Sequence, residues 1–212
     1  MTARARVYAG PPDFSLESDA LRRLGHGAVI CGIDEAGRGP LAGPVVAAAV
    51  ILSPDAAPTG LNDSKKLTAP RREALFDALM HAAQFGIGAA STAEIDALNI
   101  LRANDLAMRR AVSRLPGRPD LALVDGNRTP PELGCAAEAV VKGDARSLSI
   151  AAASIIAKVI RDRIMARLAR RHPGYGWEKN AGYPTAAHRK AVHTLGPTRH
   201  HRRSFRTIHN VD

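Results

Sequence analysis

Residues 28–52 read AVICGIDEAGRGPLAGPVVAAAVIL, and their pattern decides the fold. Residues 29–34 are a short apolar run closing on two carboxylates, Asp34 and Glu35, as a buried strand does where it reaches its end. Residues 37–43, GRGPLAG, carry Gly and Pro too densely for helix or strand. Residues 44–52 resume as an unbroken apolar run, the pattern of a strand covered on both faces. The stretch predicts a strand–turn–strand unit at the centre of a sheet.

Outward from this unit, strands and helices alternate. A short helix is expected near residues 15–24, inside a loosely attached lead-in of residues 1–28. NDSKKL at 62–67 is a polar loop, after which Thr68 caps a helix with Pro70 in its first turn and Ala74, Leu75, Ala78 and Leu79 on one face. Residues 85–91 form a third strand. Residues 92–114 read as one helix with Ile95, Leu98, Leu101, Ala107, Met108 and Ala111 on its apolar side. Residues 121–125 are a fourth strand ended by Gly126-Asn127, and residues 138–142 a short fifth. Residues 147–171 form the longest helix, Ala- and Ile-rich and then basic, and residues 172–212 a loop-and-helix extension. The order gives an α/β fold around a five-stranded mixed sheet, with a body at 29–171 and a basic C-terminal helical extension at 172–212.

Charge is divided unevenly. Residues 1–141 hold 15 Lys+Arg and 16 Asp+Glu, whereas residues 142–212 hold 15 Lys+Arg, 4 Asp+Glu and six of the eight histidines. The first part reads as a globular body carrying carboxylates, the second as a surface that meets an anion, nucleic acid first. The composition excludes other classes. A 45% apolar content over 212 residues is too high for a disordered basic protein. No apolar run approaches the roughly 20 residues of a membrane-spanning helix, and no secretory signal opens the chain. Two cysteines, Cys31 and Cys135, exclude a disulfide framework and point to the cytoplasm.

Three acidic positions share a topological property. Asp34-Glu35 closes strand one, Asp125 closes strand four and Asp144 follows strand five, where α/β sheets gather their ligands. A lone Asp there is ordinarily a turn residue. Several together are costly to bury unless a cation compensates them, and oxygen donors without a Cys/His cluster suit Mg²⁺ or Mn²⁺. The Gly37-Arg38-Gly39 turn permits close backbone approach and adds a planar donor, as a phosphate- or ribose-binding loop requires. It matches neither a Walker loop nor the dinucleotide fingerprint. Asp162, four residues after Lys158, reads as a helical ion-pair partner, and His200-His201 lacks a metal-binding partner at ligand spacing.

GIDEAGRGPLAGPVVAAAV at 32–50 resembles the signature of the type 2 ribonuclease H family, ribonuclease HII. LNDSKKL (61–67), LVDGN (123–127), VVKGD (140–144), SIAAASIIAKVIRD (149–162) and HPGYGWEKNAGYPTAAH (172–188) follow in family order. The resemblance implies a ribonuclease H-like fold and a metal-binding catalytic quartet of Asp34, Glu35, Asp125 and Asp144 that holds two Mn²⁺ or Mg²⁺ ions, with Asp34 bridging them. It implies cleavage of the RNA strand of RNA/DNA hybrids, and of DNA 5′ of a single embedded ribonucleotide, leaving 3′-hydroxyl and 5′-phosphate ends. It places Gly37, Arg38 and Gly39 at the ribonucleotide's 2′-hydroxyl and Tyr183 beside its junction with DNA.

Lys65, Lys66, Lys142, Ser154 and Lys158 are expected at substrate phosphates, with Ser147 on the same helix stripe, and Arg199, Arg202, Arg203 and Arg206 as general backbone attraction. The expected partners are RNA/DNA hybrid and ribonucleotide-containing duplex, met by a monomer without membrane association. The chain's end shows no clear motif for a replication clamp. Two other functions fit the same scaffold: a non-catalytic nucleic-acid-binding module and a DNA-directed nuclease.

Overall fold

The structure is a computed structural model that describes residues 10–209, the side chain of His209 excepted. The first nine residues of the lead-in, and the last three residues of the chain, on which the expectation about a clamp motif partly falls, lie outside the described residues. Five strands make one mixed sheet: β1 (Ile30–Ala36), β2 (Val45–Leu52), β3 (Ala83–Ala90), β4 (Leu121–Asp125) and β5 (Ala136–Val140). Their order is β3-β2-β1-β4-β5; β1–β2 and β2–β3 are antiparallel, β1–β4 and β4–β5 parallel.

The unbroken apolar run of β2 is explained by two cores. Val45, Ala47 and Ala49 pack on one face with α4 (Ile100–Val112), through Ala103, Ala107 and Ala111. Ala48, Val50 and Leu52 pack on the other with α2 (Ala69–Ala82) and α5 (Leu148–Arg171). Alternation along one strand therefore feeds both faces, as the period of two requires. The first turn of α5 lies directly on β1. A Cβ added at Gly32 would sit 2.2 Å from the Ser149 carbonyl carbon, so only glycine permits that approach.

A third cluster joins Leu41 and Ala42 of the GRGPLAG turn to Met165 and Ala169 of α5, and to Tyr175, Trp177, Val192 and Ile208 of the extension. The extension, with α6 (Trp177–Asn180), α7 (Ala186–Leu195) and α8 (Arg206–His209), thereby holds the turn from behind. At the other end α1 (Ser15–Leu24) fastens the lead-in. Buried Glu17 accepts from Ser147 Oγ at 2.5 Å and from the Ser149 amide at 3.0 Å.

The structure departs from the sequence reading at several elements; the third strand, for one, begins two residues earlier, at Ala83. Strand one continues to Ala36, so Asp34 and Glu35 are strand residues paired with Ala48 and Ala47 rather than its terminus. The helix expected over 92–114 is two, α3 (Thr92–Leu98) and α4, because Asn99 adopts φ 69° and its side chain accepts from the Leu101 and Arg102 amides. The fifth strand lies two residues earlier than expected, since Lys142 turns the chain in the left-handed region at φ 54°. Ser147 does not face outward. It is fully buried and caps α5 by accepting from the Ile150 amide at 3.1 Å.

Candidate active site

Parallel pairing of β1 and β4, with Ile33 opposite Val124, carries Asp34 and Asp125 to adjacent positions on the face covered by α5. Asp125 Oδ1 accepts from the Gly143 amide at 2.7 Å, which draws the 3-10 turn Gly143–Ala145 onto the end of β4 and brings in Asp144. One oxygen from each of Asp34, Asp125 and Asp144 lies within 4.8 Å of the others. Glu35, one residue on in β1, points to the α4 face. It receives Arg38 Nη1 at 3.3 Å and hydrogen-bonds Asn104, and it stands outside that trio of oxygens.

The trio is electrostatically frustrated. Asp34 is 3% exposed, and its pKa is pushed well above the carboxylate range by burial and by the charges of Glu35 and Asp125. Its own partners, the Glu35 amide at 2.6 Å and the Ser154 hydroxyl, pull the other way without prevailing. Asp144 is raised to about 6 by burial, then by Asp125 and Asp63. The Glu35 carboxyl is raised by burial, against the nearby Arg38. Lys65 faces the cluster. Burial works against its charge, but Asp34, Asp63, Asp144 and Asp125 outweigh that and raise its pKa. One lysine does not neutralise three carboxylates, and a divalent cation is the compensation such oxygen donors select.

Beside the cluster is a hollow of about 210 Å³ lined by Glu35, Ala36, Gly37, Arg38, Gly39, Ser64, Lys65, Lys158 and Tyr183. Seven of the residues singled out from sequence therefore border one space. Arg38 and Gly39 are exposed, and Tyr183 is 41% exposed. A Cβ added at Gly39 would meet only Tyr183 Cε1, at 3.8 Å, so the turn and the tyrosine are neighbours across a gap open to a ligand. Ser154 is buried beneath the hollow, 2.8 Å from Ser64 Oγ, and reaches Asp34. Lys158 holds Asp162 at 2.7 Å, the helical pair expected. Lys66 and Lys142 are exposed nearby in sequence and do not line the hollow.

Three sequence expectations fail here: Ser154, expected at a substrate phosphate, is buried and does not line the hollow, and Arg202 and Ser147 are misplaced as well. Arg202 is no surface attractant: it is fully buried and donates to the carbonyls of Gly37, Arg38 and Gly43. Ser147, already described, is a helix cap on the far side of α5's first turn. Arg199, Arg203 and Arg206 are exposed as expected. Sequence reading also missed several supports. Arg161 is buried and donates to Ala42, Pro44 and Ala181 carbonyls. Its signal was available, since it occupies the i, i+4 stripe Ala157–Arg161–Met165–Ala169, all buried. Asn104 at Glu35, and His188, whose Nδ1 lies 2.9 Å from the Tyr183 carbonyl, carried no comparable signal.

Comparison with known proteins identifies the family. The family model described as Ribonuclease HII matches residues 31–208. A Ribonuclease HII of Ruegeria pomeroyi is 64% identical over 200 residues, covering 94% of this chain and 85% of the relative. Among solved structures, ribonuclease H2 from Pyrococcus horikoshii is similar at a TM-score of 0.71 and 28% identity, over 86% of this chain and 96% of that one. Bst-RNase HIII, solved in complex with Mn²⁺, shares the fold at a TM-score of 0.71 and 19% identity, over 99% of this chain and 77% of that one. With the acidic cluster at the end of its central strands and its motifs in family order, the chain belongs to the ribonuclease HII family and is a ribonuclease H, a hydrolase acting on RNA in RNA/DNA hybrids.

Proposed function

We propose that the chain is a metal-dependent endonuclease that cuts the RNA strand of hybrids and also nicks duplex DNA 5′ of a single embedded ribonucleotide, leaving 3′-hydroxyl and 5′-phosphate ends. One observation carries the reading: the Asp34–Asp125–Asp144 cluster shares its border with the hollow of Gly37, Arg38, Gly39, Lys65 and Tyr183. The donor set fits hard cations, because buried carboxylates with raised pKa values are short of positive charge. Asp34, Asp125 and Asp144, joined by Glu35 from the neighbouring position, would hold two Mn²⁺ or Mg²⁺ ions. Such ions supply an activated water and neutralise the leaving 3′ oxygen. The relative of similar fold that was solved with Mn²⁺ supports that choice.

The chain's own residues do the rest. Gly37, Arg38 and Gly39 read the 2′-hydroxyl, the group that separates RNA from DNA. Tyr183 packs its ring beside the ribonucleotide. Lys65 and Lys158 meet phosphate oxygens at the hollow, and Ser154 orients Asp34 from below. Lys66 and Lys142 add charge along the approach, with Arg199, Arg203 and Arg206 beyond. The site is complete within one chain, which supports a monomer divided into lead-in, catalytic body and basic extension. No helix among the described residues is long and apolar enough to cross a membrane.

A duplex with one ribonucleotide, incubated with Mn²⁺ and then with EDTA, tests the proposal. A metal-dependent nick 5′ of the ribonucleotide is expected. Binding without a nick would favour the non-catalytic module, and cleavage of all-DNA duplex the DNA-directed nuclease.

A further inference from the structure

Arg202 and Arg161 are fully buried, yet neither has a carboxylate partner among the described residues. Their guanidinium donors are spent on backbone carbonyls. Arg202 Nη2 donates to Gly37 O at 2.5 Å and to Gly43 O at 2.9 Å, Nη1 to Arg38 O at 2.8 Å, and Nε to Gly43 O at 3.0 Å. Arg161 spans from the loop to the tyrosine turn, bonding Ala42 O at 3.1 Å, Pro44 O at 3.1 Å and Ala181 O at 3.0 Å. Gly37 makes room for it: at φ 99°, an added Cβ would lie 2.0 Å from Arg161 Nε.

The direction of these bonds matters more than their number. No peptide among the described residues is cis, and a trans peptide points its N–H opposite to its C=O. The Gly37–Arg38 and Arg38–Gly39 peptides both turn their carbonyls inward onto Arg202, so the Arg38 and Gly39 N–H groups point outward. They emerge where Gly39 is open and Tyr183 stands across the gap. Burial, and then the neighbouring Arg161, lower the Arg202 pKa only to about 9, so its positive charge remains behind those donors at neutral pH.

We propose that Arg202 is a positioning residue for ribonucleotide recognition: by drawing the Gly37 and Arg38 carbonyls inward it presents the Arg38 and Gly39 N–H groups as a paired donor site for an oxygen of the ribonucleotide, while Arg161 fixes the spacing from that site to Tyr183. The proposal rests on the ribonucleotide-reading role given above to this turn. A lysine at 202 has one small ammonium and cannot span three carbonyls.

Arg202→Lys is expected to lower kcat/KM on the single-ribonucleotide duplex by about 10- to 100-fold, the scale of a misplacement near 1 Å. Affinity for all-DNA duplex and for Mn²⁺ at the carboxylates should stay within about twofold of wild type. Loss of those two affinities as well would assign Arg202 a merely structural role and overturn the proposal, as would an unchanged kcat/KM. Amide exchange in the unaltered protein checks the geometry without any variant. Arg38 and Gly39 N–H should exchange freely alone and become protected by a ribonucleotide-containing duplex in Ca²⁺, but not by all-DNA duplex. Slow exchange in the free protein, or equal protection by both duplexes, would overturn it. Failure of the wild-type enzyme to nick the ribonucleotide-containing duplex would instead defeat the underlying reading of function.

Discussion

Two of the regions where the molecule buries charge are built in opposite ways. Within β1 and in the turn after β5, Asp34 and Asp144 are buried among other carboxylates, and their pKa values rise. About the loop behind them, Arg161 and Arg202 are buried just as deeply, but every bond they make is to a fixed backbone carbonyl. A buried charge with its partners built in is structure; a buried charge left short of partners is a binding site for whatever supplies them. The negative region is therefore open to a cation from solution, while the positive region acts through the backbone it shapes.

The strongest way to break the contrast is at the open end. Asp125→Asn removes a cluster oxygen's charge while the Gly143 amide keeps an acceptor. Activity should fall by about a thousandfold or more, with hybrid binding retained in a gel-shift assay. Next in size is Gly37→Ala. A Cβ against Arg161 at a positive φ costs about 1–3 kcal/mol in backbone strain before any clash is counted, so the melting temperature should drop by several degrees or more. Tyr183→Ala should cost about 10- to 100-fold at a single ribonucleotide, the worth of one base–aromatic contact, with thermal stability nearly unchanged because the ring is already exposed.

The smallest effect sharpens the contrast by pH. Asp144, raised to about 6, binds its proton more tightly folded than unfolded. In the metal-free protein its contribution to stability is present below the ordinary carboxylate value of about 3.9 and lost as pH rises through about 6. His201, lowered to about 4 by burial and by His188, acts in the reverse sense: folding gains as pH rises from about 4 toward the ordinary 6.5. A metal-free melting curve therefore mixes opposing slopes, and the informative quantity is the Mn²⁺-induced shift. Cations compete with protons at the carboxylates, so that shift should be larger at pH 7.5 than at pH 5.0 in scanning calorimetry. Equal shifts would place Mn²⁺ elsewhere on the protein.

How much of this was legible follows from where each residue's partners lie. β4 and α1 fall where apolar runs and turn residues put them, because local pattern decides them. The helix at 92–112 breaks at Asn99 despite its unbroken apolar period, since a side-chain cap two residues ahead competes locally with helix continuation. The carboxylates stand out in the sequence where apolar runs end, though Asp34 and Glu35 lie within β1 rather than at its terminus, and the trio of close oxygens holds Asp34, Asp125 and Asp144 without Glu35. Ser147 and Arg202 were misread for a common reason: their partners, Glu17 and the turn at 37–43, are more than a hundred residues away. The burial of these two side chains is set by those distant partners, and no window around either residue reveals it.

The parallel register that sets Asp34 beside Asp125 has a consequence for the order of assembly. The two residues are far apart in the chain, and their strands are separated in sequence by β2, β3 and three helices. Closing so long a loop costs more chain entropy than pairing β1 with the adjacent β2, so the β1–β4 pair is expected to form after the β1–β2 pair. The cluster is then a product of the completed fold rather than a seed of it. A cation seated there would act as a latch, holding the finished molecule shut without having helped to build it.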